Sequence, residues 1–113
     1  MDKLERLLNL TAALLDTEMP LTAEEIWDRV GGYPDAKPSF RRAFERDKDE
    51  LRAMGMPIEV ATVPGADPPI DGYAINRADY AGDDLRFEPD ELAALHLAPN
   101  LVRLDGNDTG LMK

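Results

Sequence analysis

SFRRAFERDKDELRAMG, running from Ser39 to Gly55, is the stretch on which the reading of the whole chain turns. Wound as a helix of about 3.6 residues per turn, it gathers Phe40, Phe44, Leu51 and Met54 within about 80° of arc, with Ala43 beside them. That stripe needs a core to pack on, and Phe40, Phe44 and Leu51 are its structural residues. Most of the remaining circumference is charged, interleaving Arg41, Arg42, Arg46, Lys48 and Arg52 with Glu45, Asp49 and Glu50. Ser39 suits an N-cap and Gly55 a C-terminal stop, so both ends of the helix are expected to be set locally. Asp47 falls inside the apolar stripe, between Phe40 and Met54. An unpaired carboxylate there is costly, so Asp47 is expected to be structural, bonded to a backbone amide or to a cation such as Lys3 or Arg6.

Working toward the N-terminus, Leu4, Leu7, Leu8, Thr11, Leu14 and Leu15 repeat at helical spacing, predicting a core helix capped by Asp2 and ending near Thr17. Glu18, Met19 and Pro20 break it. Leu21, Thr22, Glu25 and Ile26 then spell a capping box with a hydrophobic staple, opening a short helix that stops at Gly31 and Gly32. A loop from Gly31 to Pro38 leads into the central helix.

Toward the C-terminus, Met56 to Val63 alternates as an exposed strand does, and Tyr73 to Ile75 forms a short returning strand across a Pro- and Gly-rich loop. Three helices followed by a hairpin is the winged-helix order. From Asn76 to Leu85 the chain is polar and acidic, with Tyr80 as an anchor. A further helix opens at Phe87 to Leu92, with Pro89 in its first turn, and is interrupted at Pro99. The fold class expected is mainly α with a small β-hairpin: a winged helix-turn-helix over 1–76, a linker over 77–86 and an incomplete helical connector over 87–113. The apolar residues after Pro99 (Leu101, Val102, Leu104 and Leu111) are expected to be mobile or covered by a neighbouring subunit.

With 113 residues the chain supports one compact domain plus an appendage. It holds no apolar run long enough to cross a bilayer, and Asp2, Lys3, Glu5 and Arg6 interrupt any signal-peptide pattern, so a soluble, cytoplasmic protein with no membrane partner is expected. Zero cysteines exclude disulfides and thiolate metal sites. The net charge of −10 argues against phosphate attraction over the whole surface. Its distribution matters more, since Met1 to Met56 carries nine Lys/Arg against twelve Asp/Glu and the remainder four against eleven. Five of the basic residues lie on the Ser39–Gly55 helix, so a nucleic acid would touch there.

The central helix, at Arg42, Phe44, Arg46, Asp47, Leu51, Gly55, Met56, Pro57 and Ile58, resembles the N-terminal winged helix-turn-helix of bacterial WYL-domain transcription regulators. Gly72, Tyr73 and Ile75 match the strand that closes the wing. The segments KLERLL (Lys3 to Leu8), LTAEEI (Leu21 to Ile26), GYP (Gly32 to Pro34) and FERDKDEL (Phe44 to Leu51) are similar to the actinobacterial branch called proteasome accessory factors B and C. The resemblance runs from Lys3 to Ala98. It departs from the pattern at Phe40, in the length of the loop from Gly31 to Pro38, and at Glu88, where relatives carry a better-capping threonine. It implies the DNA-binding end of such a regulator and the start of its connector, without the effector-sensing WYL domain. It also implies paired subunits, homo- or hetero-dimeric, a nucleoid-associated location and a link to the DNA-damage response.

On this reading Ser39, Arg41, Arg42, Glu45, Arg46 and Arg52 form the DNA-facing set. Arg42 and Arg46 lie one turn apart near the helix start, where arginine can bond guanine, and Arg41 and Arg52 lie on a flank nearer the groove wall. The plainer alternative is a solvated face of ion pairs with Glu45, Asp49 or Glu50. Trp27, Tyr33 and Tyr73, scattered over separate elements, read as packing residues. Asp105 to Gly110 has the opening rhythm of a calcium loop but reads as a turn. His96 stands alone, and no constellation for an enzyme, a cofactor or a metal is present. Two functions follow: a reader of double-stranded DNA, or a winged helix that contacts RNA polymerase or a partner subunit without reading DNA.

Overall fold

In the computed structural model, residues 3–76 and 88–100 are described. The elements are α1 (Lys3–Asp16), α2 (Ala23–Val30), α3 (Lys37–Ala53), β1 (Ile58–Thr62), β2 (Asp71–Ile75) and α4 (Pro89–Leu97), which runs into a single 3-10 turn, Ala98–Asn100. Three helices followed by an antiparallel hairpin make the winged-helix order expected from the sequence. The Asp2 cap, the acidic linker with Tyr80, Phe87, the calcium-like rhythm at Asp105 to Gly110 and the apolar residues after Pro99 lie outside the described residues, as does the side chain of His96.

Helix α1 buries Leu7, Thr11, Leu14 and Leu15 as the helical spacing predicts, adds Leu10, which that reading did not name, and leaves Leu4 and Leu8 only half-buried. The one polar member, Thr11, turns its hydroxyl to the Met56 sulfur at 3.7 Å. Helix α2 opens with the predicted capping box: Thr22 Oγ1 accepts from the Glu25 amide at 3.1 Å, and Glu25 Oε1 accepts from the Thr22 amide at 2.9 Å. It stops at Gly31, where φ is 74°.

The start of α3 differs from expectation. Ala36, not Ser39, occupies the N-cap, and no side chain caps the helix. Pro38 explains the shift, since its fixed φ suits the first turn and its missing amide is one the first turn leaves unbonded anyway. Ser39 is therefore half-buried inside the first turn, where its hydroxyl lies 3.4 Å from Arg42 Nη2. The connection between α2 and α3 shortens correspondingly. At the other end Met54 is the cap and Gly55 takes φ of 97°, the left-handed turn that releases the chain toward the wing.

The wing pairs Ile58 with Ile75 through Thr62 with Asp71, so β1 is shorter than the alternating Met56–Val63 stretch and β2 begins two residues before Tyr73. On β1 only Ile58 is buried. The wing is held to the helices by a backbone bridge between Leu21 and Tyr73, with N–H to O distances of 2.9 and 2.8 Å. Gly72 makes that seat possible, because a Cβ there would stand 2.5 Å from the Pro20 Cβ.

Helix α4 begins where Glu91 Oε1 accepts from the Glu88 amide at 2.8 Å, with Pro89 in the first turn. It packs along α1, and its buried Leu92 and Leu97 join the same core cluster as Leu10, Leu14 and Phe44. No described helix is long and apolar enough to cross a membrane.

Candidate nucleic-acid interface

Helix α3 has an inner face built of rings. Trp27 stacks on Phe40 with centroids 4.6 Å apart, and Phe40 stacks on Phe44 at 5.6 Å. Tyr33 meets Phe40 edge-on at 5.0 Å, and Tyr73 meets Phe44 edge-on at 5.2 Å. Trp27, Tyr33 and Tyr73 are thus packing residues, as their scatter suggested. The indole of Trp27 donates to the Pro34 carbonyl at 2.9 Å, tying the α2–α3 loop down.

Asp47 sits in this face, 1% exposed, and is fully partnered. Arg6 of α1 donates from Nε to Oδ2 at 2.8 Å and from Nη2 to Oδ1 at 2.9 Å, a bidentate pair. Tyr33 donates its hydroxyl to Oδ2 at 2.7 Å, and the Arg6 guanidinium lies over the Tyr33 ring, 5.1 Å from its centroid. Of the two cations named from sequence, Arg6 takes the role and Lys3 pairs with Glu50 at 2.8 Å. Burial, then the Asp47 charge, pushes the Tyr33 hydroxyl far above the ordinary phenol range. The hydrogen bond to Asp47 likewise raises Arg6. The cluster locks α1, the α2–α3 loop and α3 together, which fixes the direction of the outer face.

Lys48 departs from the charged circumference on which the helical wheel placed it. Its side chain is 6% exposed, with the ammonium 4.7 Å from the Phe44 ring centroid, 4.3 Å from that of Tyr73 and 3.0 Å from Glu45 Oε2. The wing folds over that flank and covers it, which a wheel drawn for one helix does not record.

The outer face carries Arg41, Arg42, Glu45, Arg46 and Arg52, all exposed. Arg41, Arg42, Glu45 and Arg46 line one shallow surface depression. Arg41 also borders a cleft between α2, the start of α3 and the wing, together with Lys37 and Asp71. Arg52 lies apart from the depression, its Nη2 3.3 Å from the Ile58 carbonyl at the α3–wing seam. The structure therefore brings Arg41, Arg42, Glu45 and Arg46 together, sets Arg52 beside the wing and leaves Ser39 half-buried behind Arg42. Among the described residues no group of three or more His, Asp or Glu is placed to hold a metal ion.

No family model matches the chain. Among curated proteins, the Protein PafB sequences of Mycobacterium leprae (strain TN), Mycobacterium bovis (strain ATCC BAA-935 / AF2122/97) and Mycobacterium tuberculosis (strain ATCC 25618 / H37Rv) are each 48% identical over 101 residues. Those residues are 88% of this chain but 30% of each relative, so the chain spans less than a third of their length. Over the matched span this chain is similar to a third or less of proteins named PafB, the branch that the KLERLL, LTAEEI and FERDKDEL segments pointed to.

Proposed function

We propose that this chain is the DNA-binding region of a PafB-like transcription regulator and that α3 is its recognition helix, entering the major groove of double-stranded DNA. The observation that carries this reading is the division of α3 into two faces. One is locked to α1, α2 and the wing through rings and the Arg6–Asp47–Tyr33 cluster, and the other presents Arg41, Arg42, Arg46 and Arg52 to solvent. A rigidly held helix with cations on its free side suits phosphate attraction and base contact together. The net charge of −10 opposes general adhesion to DNA and favours a contact confined to this face. On the outer face Glu45 is already paired with Lys48, which lessens its repulsion of phosphate. The role is binding, with no reaction catalysed.

The test is titration of duplex DNA at two salt concentrations. Binding by this face should weaken steeply as salt rises, with a log–log slope that scales with the number of phosphates neutralised. A chain that binds no duplex at either salt would instead be a protein-contact module, reaching RNA polymerase or a related subunit through the same fold.

A further inference from the structure

We propose that Glu45 determines specificity on the α3 surface by accepting a hydrogen bond from the amino group of a cytosine in the major groove, and that Lys48, seated on the wing, is the positioning residue that aims it. This rests on the DNA-reading role of α3. Glu45 lines the same depression as Arg41, Arg42 and Arg46, so whatever the arginines meet, its carboxylate meets too. A carboxylate facing phosphate is repelled, whereas one facing a base edge finds a donor only where an amino group is presented.

An exposed glutamate on a helix is ordinarily a free rotor. Here Oε2 is held 3.0 Å from Lys48 Nζ, and the two side chains differ sharply in exposure, 58% for Glu45 and 6% for Lys48. The ammonium is itself held over the Phe44 and Tyr73 rings, which meet each other edge-on. Tyr73 is fixed in turn by its backbone bridge to Leu21. A chain of contacts therefore runs from the core through the wing to one oxygen of Glu45 and leaves Oε1 for a donor from outside. The buried cation also offsets the acid's charge, which lets it approach DNA at less cost.

The chemistry selects the base. In the major groove guanine shows N7 and O6 and thymine shows O4, all acceptors that repel a carboxylate; adenine sets its N6 amino donor beside the N7 acceptor, which repels the second carboxylate oxygen, while cytosine shows the N4 amino donor with no acceptor of its own beside it. Arg42, one turn before Glu45, and Arg46, next to it, suit the O6 and N7 pair of guanine. The ligand implied is a duplex step rich in G·C pairs, with one cytosine opposite Glu45.

Selection from a random duplex library with the intact chain, repeated with Glu45→Gln, decides the matter. The unaltered protein should favour cytosine over thymine roughly tenfold at one position. Glu45→Gln, an exposed and nearly isosteric change, should remove that preference at that position alone, with nonspecific affinity equal or higher because a negative charge is gone. Lys48→Met, followed by its melting transition, should lose the same preference, and Lys48→Arg, which keeps the cation, should retain it. If Lys48→Met does not fold, the selection with Glu45→Gln settles the question by itself. Identical selected sequences for Glu45→Gln and the unaltered chain, or a preference for adenine at the position, overturn the proposal while leaving DNA reading intact. If the unaltered chain selects nothing and binds no duplex, the proposal falls together with the reading on which it rests.

Discussion

Arg6 on α1 grips Asp47 on α3 with two parallel hydrogen bonds, 2.8 and 2.9 Å long, across 41 positions of sequence. It is a buried ion pair joining the first and third helices, which the more exposed Lys3–Glu50 pair also joins, and it sits at the edge of an otherwise apolar core. Asp47→Ala strands the guanidinium and the Tyr33 hydroxyl together. Removing one partner of a fully buried pair costs about 3 to 5 kcal/mol. Arg6 keeps 17% exposure and can recover some hydration, so a loss of about 2 to 4 kcal/mol is expected. Urea unfolding reads it directly, and an unchanged midpoint would mean that the carboxylate is solvated rather than locked.

Tyr33 gives the lock a pH dependence. Its hydroxyl is raised above the ordinary phenol value by burial first and by Asp47 second. In the unfolded chain a tyrosine releases its proton near about pH 10. Above that pH the folded state binds one proton more than the unfolded state, so stability falls as pH rises and is fully present below it. Unfolding midpoints at about pH 8 and about pH 11 should therefore drop more for the unaltered chain than for Tyr33→Phe. Equal drops in both proteins would remove Tyr33 from the account.

Gly72 is where the wing meets the α1–α2 turn. A Cβ at this position would lie 2.5 Å from the Pro20 Cβ and 2.9 Å from Val63 Cγ2, so Gly72→Ala forces the strand away from Pro20. Overpacking of this kind costs about 1 to 3 kcal/mol. Because the Leu21–Tyr73 bridge is adjacent, the Leu21 and Tyr73 amides should exchange faster with solvent in this variant. Exchange unchanged at both amides would show that the wing accommodates the methyl group without moving.

Much of this fold is legible because it is encoded locally. The Thr22–Glu25 box, the Gly31 and Gly55 stops and the hairpin all follow from short-range rules that tertiary packing did not override. Asp47 was legible as a structural residue because a carboxylate in an apolar stripe demands a partner, and Arg6 lay on the first helix to meet it. Its second partner was not, because Tyr33 comes from a loop whose path periodicity does not describe. Lys48 was misplaced for a related reason, since the wing that covers it is remote in sequence. The Ser39 cap failed on a local point, with Pro38 in the first turn outweighing the serine that follows it.

The outer face of α3 makes a demand that an electrostatic patch alone would not meet. Arg42 and Arg46 stand one turn apart within the depression they share with Glu45, whereas Arg52 is bonded to the Ile58 carbonyl at the wing seam and Arg41 borders the cleft toward Lys37. If the depression meets base edges, Arg46→Ala should cost about 1 to 3 kcal/mol of binding and relax preference at one position. Arg41→Ala and Arg52→Ala should weaken every sequence about equally and flatten the salt dependence by roughly one phosphate each. Arg52→Ala also removes a bond to β1, so its melting transition must be followed beside its affinity. Chemically identical substitutions on one helix are thus expected to give two different outcomes. Equal losses at every sequence for all of Arg41→Ala, Arg42→Ala, Arg46→Ala and Arg52→Ala would reduce α3 to a cationic patch. No loss in any of them would transfer the function to protein contact.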